Sequence, residues 1–233
     1  MKSITELKVA EKLQLKELIL ASYPDASDTF INARIHNGTS FDIAMKKDGE
    51  HIVAACYYHV STRNTPFSSK PIDIFHYGQA LKAKNYSNNV VRGMGHWYAR
   101  KYWSPFYMFK DVIGVSMIIN PRVFEQFIQI YKSHLPKPHE KFSSEVLTFL
   151  EDYKNDRGMD CKFDEFGVAT FPSLSTIDIT DKWESHYKTK TEAINELFEE
   201  HGIIYRKNGK IYRSNKHLTC IGMRSVYKKR IPF

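Results

Sequence analysis

The feature that most constrains the fold is a largely apolar run of eight residues, Val112–Ile119, which is followed at once by Asn120 and Pro121. A continuous apolar segment of this length is typical of a β-strand that is fully buried in a sheet. It is too short to span a bilayer. Pro121 suits the first turn of a helix, and apolar residues recur at helical spacing from there to Tyr131. The sequence therefore predicts a buried strand that leads directly into a helix.

The rest of the chain predicts further helices and strands in a mixed order. A capping-box pattern at Ser3 and Glu6 predicts a helix that ends before Tyr23 and has Leu13 on its apolar face. The other predicted elements are strands over 41–46, 52–60 and 72–77, a turn over 47–50, a loop over 62–71, and helices over 93–103 and 142–153. This order predicts an α/β (α+β) fold with a mixed, mainly antiparallel central sheet flanked by helices.

Charge is distributed unevenly along the chain. The 233 residues carry a formal charge of +8, yet Gly202–Phe233 holds nine Lys or Arg and no Asp or Glu, so residues 1–201 are close to neutral. A concentrated basic segment that also contains tyrosines is the electrostatic footprint of a nucleic-acid-binding protein. A disordered basic tail, a structural hairpin with incidental charge and a membrane-surface segment are the alternatives.

The basic segment has the pattern of a β-hairpin. Ile203–Lys207 and Lys210–Ser214 flank Asn208-Gly209, which suits a type I′ turn because both central residues must adopt positive φ. A capping box at Thr189 predicts a helix before the hairpin, ending at His201-Gly202, and 217–223 is predicted as a third strand. The candidate nucleic-acid-binding residues, whose charged groups are expected to be solvated, are Arg206, Lys207, Lys210, Arg213, Tyr205 and Tyr212.

A glycine-containing turn precedes the helix predicted over 93–103. Arg92-Gly93-Met94-Gly95 resembles the Arg/Gln-x-x-Gly-x-Gly/Ala motif of the GNAT-type acyltransferase superfamily, and the strand that ends in Asn120 before a helix resembles the next part of that fold. The resemblance covers roughly residues 1–135. The chain departs from the family pattern at Trp97, where Gly or Ala is usual, and it lacks the family's Pro-x-x-Arg approach to the turn.

The resemblance implies a fold, a cofactor and catalytic groups. It implies a GNAT-like core whose helix N-terminus holds the pyrophosphate of acetyl-CoA or another acyl-CoA, because N–H groups and the helix dipole favour anions there. The implied cofactor-binding residues are Arg92, Gly93, Met94, Gly95, His96 and Asn120. The implied proton-transfer groups are His76 and Asp73 before the turn and Tyr131 after the buried strand, with His59 as a second candidate base. The alternative is that the glycines are turn residues alone and that these side chains are structural.

Cysteine and histidine patterns do not indicate a disulfide scaffold or a metal site. Cys56, Cys161 and Cys220 are odd in number and far apart, which favours a reducing cytoplasm. The histidines lack zinc-ligand spacing, and there is no Walker loop or nucleophile elbow. Glutamates interrupt any apolar core near the N-terminus, so no signal peptide is predicted.

The resemblance implies a GNAT-like acyltransferase core over residues 1–140, and the remaining pattern predicts a helical and basic-hairpin extension over 141–233, packed on the core. The predicted function is transfer of an acyl group from acyl-CoA to an amine on nucleic acid or on a nucleic-acid-associated substrate. DNA or RNA is the expected partner, and no membrane is expected. The alternatives are a non-enzymatic nucleic-acid-binding protein and a nucleic-acid-processing enzyme of another fold.

Overall fold

A computed structural model of the chain describes residues 2–24, 26–36, 41–83, 86, 93–94, 98, 111–131 and 133–224. The helices are α1 Val9–Ser22, α2 Asp28–Ile35, α3 Pro121–Ile130, α4 Ser144–Asp156 and α5 Glu192–Glu200. The strands are β1 Lys2–Ser3, β2 Asp42–Asp48, β3 His51–Thr65, β4 Ser68–Lys82, β5 Val112–Ile118, β6 Ser133–Leu135, β7 Lys162–Phe163, β8 Val168–Thr170, β9 Ile177–Asp178, β10 Ile204–Lys207, β11 Lys210–Arg213 and β12 Lys216–Arg224.

These elements form two compact units. The first comprises Met1–Ser61 and Phe75–Lys110, and the second comprises Thr62–Ile74 and Asp111–Phe233. Strands β3 and β4 each contribute residues to both units, and the boundary predicted at residue 140 stays a prediction.

In the first unit, neighbouring strands follow the order β1, β2, β3, β4, and the β1–β2 and β2–β3 pairs are antiparallel. Helix α1 buries Leu15, Leu18 and Ile19, which lie three and four residues apart as one helical face requires. Leu13 was predicted on the buried face of this helix, and that prediction was wrong because Leu13 is 60% exposed. The predicted start was also wrong, because the helix begins at Val9 rather than at Ser3. Glu11 takes the buried position one turn before Leu15, where an apolar residue would be usual.

In the second unit, the strand order is β4, β5, β12, β8, β7, and β6 also pairs with β12. Strand β12 is antiparallel to β5, β6 and β8, and its register places Gly222 opposite Gly114. Helix α4 covers this region with its apolar face, and Ser143 caps the helix by accepting from the Val146 N–H. The core comprises Ile72, Ile74, Ile113, Val115, Leu135, Phe142, Val146, Phe149, Leu150, Tyr153 and Ile221.

A small second sheet contains the predicted hairpin. Its order is β10, β11, β9, and both pairs are antiparallel. Asn208 has φ +52° and Gly209 has φ +74°, which confirms a turn with positive φ at both central residues. The third strand predicted after the hairpin is also confirmed as β12, although it belongs to the larger sheet.

The fold class predicted from the sequence is confirmed: helices accompany a large sheet, and every strand pair whose register is described is antiparallel. Two further local predictions were wrong. Residues 62–71 are mostly strand, because β3 continues to Thr65 and β4 begins at Ser68 after a two-residue turn. Helix α5 begins at Glu192 with Thr191 as its N-cap, because the N–H and C=O of Thr189 are both hydrogen bonded to the Asn195 side chain at 3.0 Å.

Candidate nucleic-acid interface

The register of the hairpin sorts its side chains onto two faces. Tyr205 pairs with Tyr212 and Lys207 pairs with Lys210, so these four residues share one face, here called the outer face. The alternate residues form the inner face, which comprises Ile204, Arg206, Ile211 and Arg213. The six candidate residues therefore do not form one cluster: two tyrosines and two lysines lie on the outer face, and the two arginines lie on the inner face.

The outer face carries a pair of tyrosines, and the two lysines lie next to this pair on the side of the turn. The rings of Tyr205 and Tyr212 stack, with centroids 5.4 Å apart and an interplanar angle of 19°. Both side chains are half-buried, whereas Lys207 and Lys210 are exposed near the turn. Nearly parallel aromatic rings beside ammonium groups supply the two contacts that unpaired nucleotides offer, which are base stacking and phosphate attraction.

One outer-face lysine has an acidic neighbour. The pairing of β11 with β9 places Asp178 opposite Tyr212, and Lys210 Nζ lies 3.0 Å from Asp178 Oδ2. Hydrogen bonds from Thr180 lower the pKa of Asp178 to about 2, with a further contribution from Lys210. The hydrogen bond to Asp178 in turn raises the pKa of Lys210. The carboxylate is thus ionised at neutral pH and offsets part of the positive charge of the outer face.

The two inner-face arginines differ in exposure, because Arg213 is buried whereas Arg206 is exposed and pairs with a glutamate of α5. Arg206 Nη2 lies 3.1 Å from Glu199 Oε1 of α5, and its guanidinium carbon lies 5.5 Å from the centroid of the Trp183 ring. Arg213 is only 5% exposed. The prediction that all four cationic groups are solvated is therefore wrong for Arg213. Arg213 is the cross-strand partner of Ile204, which is buried, so both side chains lie on the buried side of the hairpin.

Hydrogen bonds at both ends of the small sheet hold the hairpin in place. Ser214 Oγ donates to the Gly202 carbonyl at 2.7 Å, and the Ser214 N–H donates to the Ile203 carbonyl at 2.8 Å. On the β9 side, the Ile211 N–H donates to Thr180 Oγ1 at 3.0 Å. The outer face is consequently a supported surface and not a free arm. Nothing in the local sequence around Asp178 or Thr180 indicates this proximity to the hairpin.

The predicted cofactor site is described only in part. Arg92, Gly95, His96 and Trp97 lie outside the described residues, whereas Gly93 and Met94 are helical. Asn120 is the N-cap of α3: its Oδ1 accepts from the Arg122 N–H at 2.9 Å, and its Nδ2 donates to the His186 carbonyl at 3.1 Å. This capping role is sufficient to explain why an Asn follows the strand, and it requires no bound ligand.

Arg122 extends this contact. Its guanidinium donates to the carbonyls of Glu184, Ser185 and Lys188 at 2.7, 2.7 and 2.6 Å. These carbonyls belong to the π-helical turn Trp183–Tyr187 and the residue after it. One side chain of α3 thereby supplies donors for carbonyls that the end of a short helix leaves without partners.

The predicted proton-transfer residues have distinct environments. His76 belongs to the first compact unit, is 5% exposed and lies beside Phe41, with ring centroids 5.4 Å apart. Asp73 belongs to the second unit, and its Oδ1 accepts from Thr62 Oγ1 at 2.6 Å. His59, the second candidate base, is half-buried on β3. Their roles in proton transfer stay predictions.

Tyr131 packs across two paired glycines. A Cβ atom built on Gly114 would lie 2.3 Å from Tyr131 Oη, and one built on Gly222 would lie 2.3 Å from Tyr131 Cγ. Because Gly114 and Gly222 are partners on β5 and β12, they form a flat strip that accommodates the ring. Tyr131 is 3% exposed, so this packing accounts for its position without a catalytic role.

Comparison with known proteins does not assign the chain to a family, because no family model and no curated protein sequence matches it. Within the described part of the chain, no three His, Cys, Asp or Glu side chains lie close enough together to hold a metal ion. No helix among the described residues combines the length and the hydropathy needed to cross a membrane.

Proposed function

We propose that the protein binds single-stranded nucleic acid through the outer face of the β10–β11 hairpin. The observation that carries this proposal is the stacked pair Tyr205–Tyr212 on the same face as Lys207 and Lys210. Each ring uses one side for its partner, so an unpaired base can extend the stack. Duplex bases are already stacked on each other and offer no free face.

The expected energies define the binding mode. Stacking of a base on an aromatic side chain contributes about 1–3 kcal/mol. Two lysine–phosphate contacts would release two counterions, so the logarithm of the affinity should fall with the logarithm of the salt concentration with a slope of about −1.4 for a single strand. Since Asp178 neutralises part of the charge of Lys210, we expect moderate affinity in which stacking contributes at least as much as phosphate attraction.

The test is a salt titration of binding to single-stranded and double-stranded DNA and RNA of the same sequence. The double variant Lys207→Gln/Lys210→Gln should flatten the salt slope, and Tyr205→Ala/Tyr212→Ala should weaken binding to single strands by about tenfold or more. Arg206→Gln is the matched control, because it removes a hairpin cation from the inner face. An equal loss in the control, or an unchanged slope in the lysine variant, would contradict the assignment.

A second candidate function is acyl transfer from acyl-CoA to an amine, in a GNAT-like arrangement. It is favoured by the order of elements in which β5 is followed by Asn120 and a helix that begins at Pro121. Acyl-CoA at millimolar concentration should raise the melting temperature, and Gly95→Asp should abolish the rise by placing a carboxylate against the phosphates. His76→Ala or Asp73→Asn should lower turnover by about a hundredfold with cofactor affinity retained. The absence of any shift with acyl-CoA would refute this candidate and leave the hairpin proposal intact.

A further inference from the structure

A cavity adjoins the outer face of the hairpin, on the side of β9. Its volume is about 380 Å³, and it is lined by Asp178, Ile179, Thr180, Asp181, Lys182 and Lys210. Lys210 belongs to the outer face, and Asp178 lies directly opposite Tyr212. Residues directly opposite each other on antiparallel strands have Cβ atoms about 4.5–5.5 Å apart. The cavity therefore lies next to the stacked tyrosines, and its volume is within the range of pockets that bind small molecules.

One wall of the cavity is fixed by hydrogen bonds. Asp178 Oδ1 accepts from the Thr180 N–H at 3.0 Å and from Thr180 Oγ1 at 2.6 Å, and Asp178 Oδ2 is paired with Lys210 Nζ at 3.0 Å. The 3₁₀ turn Thr180–Lys182 is anchored to β11, because the Ile179 N–H donates to the Ile211 carbonyl at 2.8 Å. Both oxygens of Asp178 are thus in use, and we assign it a supporting role in which it orients Lys210.

Asp181, in the middle of this turn, supplies an acceptor that the protein does not use. Its side chain is exposed, and none of the described residues donates a hydrogen bond to its carboxylate. The next residue, Lys182, is also exposed, and no described carboxylate lies within ion-pair distance of its ammonium. Because the lining contains two aspartates and two lysines, their charges cancel and the cavity has little net attraction for a phosphate.

The hydrogen-bonding groups of the lining select among the bases. A carboxylate only accepts hydrogen bonds, and an ammonium only donates them. On its Watson–Crick edge, guanine presents two adjacent donors, N1–H and the N2 amine, beside the acceptor O6. Adenine and cytosine place a ring-nitrogen lone pair beside their amine, and uracil and thymine have one N–H between two carbonyl oxygens. A carboxylate next to an ammonium is therefore complementary to guanine, and it faces an unmatched acceptor in every other base.

We propose that the cavity binds a guanine base that neighbours the base stacked on Tyr205 and Tyr212. Asp181 accepts from guanine N1–H and N2–H, and Lys182 donates to O6. This inference rests on the proposed binding of single-stranded nucleic acid and adds a base preference to it. The guanine edge must be unpaired to reach the carboxylate, because pairing with cytosine uses the same three groups. The cavity is thus restricted to single strands, as is the tyrosine stack.

The experiment measures the affinity of labelled single strands by fluorescence anisotropy at one fixed salt concentration. All strands share a short thymidine-only sequence in which one internal position is changed to guanine, adenine, cytosine or hypoxanthine. Guanine should bind about tenfold more tightly than adenine, because one bidentate base contact discriminates by that order. Hypoxanthine, which lacks the N2 amine, should recover only part of this gain. Equal affinities for guanine and adenine would overturn the proposal, because purine stacking alone would then explain a gain over thymine.

Two variants with the same change of charge separate base recognition from general electrostatics. Asp181→Asn should reduce the ratio of guanine to adenine affinity to about one, because an amide has a single acceptor oxygen and its N–H groups oppose the second guanine donor. Glu184→Gln is the matched control: this carboxylate is also exposed, lies three residues further along and is not among the lining residues, so the ratio should stay unchanged. A guanine preference retained in Asp181→Asn, or lost equally in Glu184→Gln, would overturn the proposal.

The outcomes also distinguish this inference from the proposed function. Wild-type protein that binds no single strand at low salt refutes both. Wild-type protein that binds every strand with the same affinity refutes the guanine site alone and leaves the outer face as a sequence-independent binding surface.

Discussion

Glu11 offers the sharpest test of the energetics of the first unit. This carboxylate is buried on α1, where Lys2 Nζ lies 2.8 Å from Oε2 and Lys47 Nζ lies 3.1 Å from Oε1. The N–H of Lys8 also donates to Oε2 at 3.0 Å. The hydrogen bond from Lys2 is the largest cause that lowers the pKa of Glu11 to about 2, with Lys8 and Lys47 adding to it against the effect of burial.

The sign and the size of the effect follow from this pKa. Because the folded-state pKa lies below the ordinary value of 4.5, the unfolded chain binds the proton more tightly. The stabilisation is therefore fully present above about pH 4.5 and is lost as the pH falls toward about 2. The full shift corresponds to roughly 3 kcal/mol. Since the side chains of Lys2 and Lys47 are 31% and 39% exposed, solvent screening reduces our expectation to about 2 kcal/mol.

The assay is urea unfolding of wild type and Glu11→Gln at pH 7 and at pH 3. The variant should be less stable by about 2 kcal/mol at pH 7. This difference should shrink to less than half at pH 3, because the carboxylate of the unfolded wild-type chain, with its ordinary pKa of 4.5, is mostly protonated there. Glu17→Gln, on the exposed side of the same helix, should change little at either pH. A loss of the same size at both pH values would show that Glu11 acts through its shape, and the electrostatic reasoning would fail.

Two further predictions concern packing and helix ends in the second unit. Gly222→Ala should lower the free energy of unfolding by about 3 kcal/mol, because the new Cβ would meet Cγ of Tyr131, whereas Gly114→Ala should cost less because it meets the more movable phenol end. Urea titrations that gave the opposite order would contradict this account of the glycine strip. Arg122→Ala should cost about 2–3 kcal/mol through three lost carbonyl contacts, and Arg122→Lys should recover only part, since one ammonium lacks the planar fork of donors. Thermal unfolding checks this, and full recovery with Lys would count against it.

Sequence patterns predicted the elements whose cause is local. The Asn208-Gly209 turn follows from the φ values that these two residues tolerate, and α3 follows from Asn120 and Pro121 at its start. By contrast, residues 62–71 contain prolines and serines that favour a loop, and pairing between β3 and β4 overrides that preference. The burial of Glu11 in place of an apolar residue also depends on tertiary contacts, because its lysine partners come from β1 and β2.

The candidate site was predictable in composition but not in arrangement. The six hairpin residues lie close together in the sequence. Their division into two faces depends on the register of β10 and β11, and alternation predicts that division only when the strand bounds are known. Asp178 reaches Lys210 through β9, which lies in a stretch over 163–179 that the sequence pattern leaves as strand or irregular structure, and the Arg34 side chain donates to Gln79 across 45 residues. Such pairs depend on tertiary proximity, which a single sequence does not encode in its local pattern.

The position of β12 has a consequence for synthesis of the chain. Strand β5 forms its register with β12 from Val112 opposite Arg224 to Ile118 opposite Leu218, so its partner leaves the ribosome only after about a hundred further residues have been made. Until then β5, which is almost entirely buried in the finished protein, has an open edge and no partner on that side. Contacts between such distant segments form slowly and leave apolar strands available for association in the meantime. Nascent chains that stop before residue 216 should therefore bind chaperones and aggregate, whereas chains released after residue 224 can close the sheet.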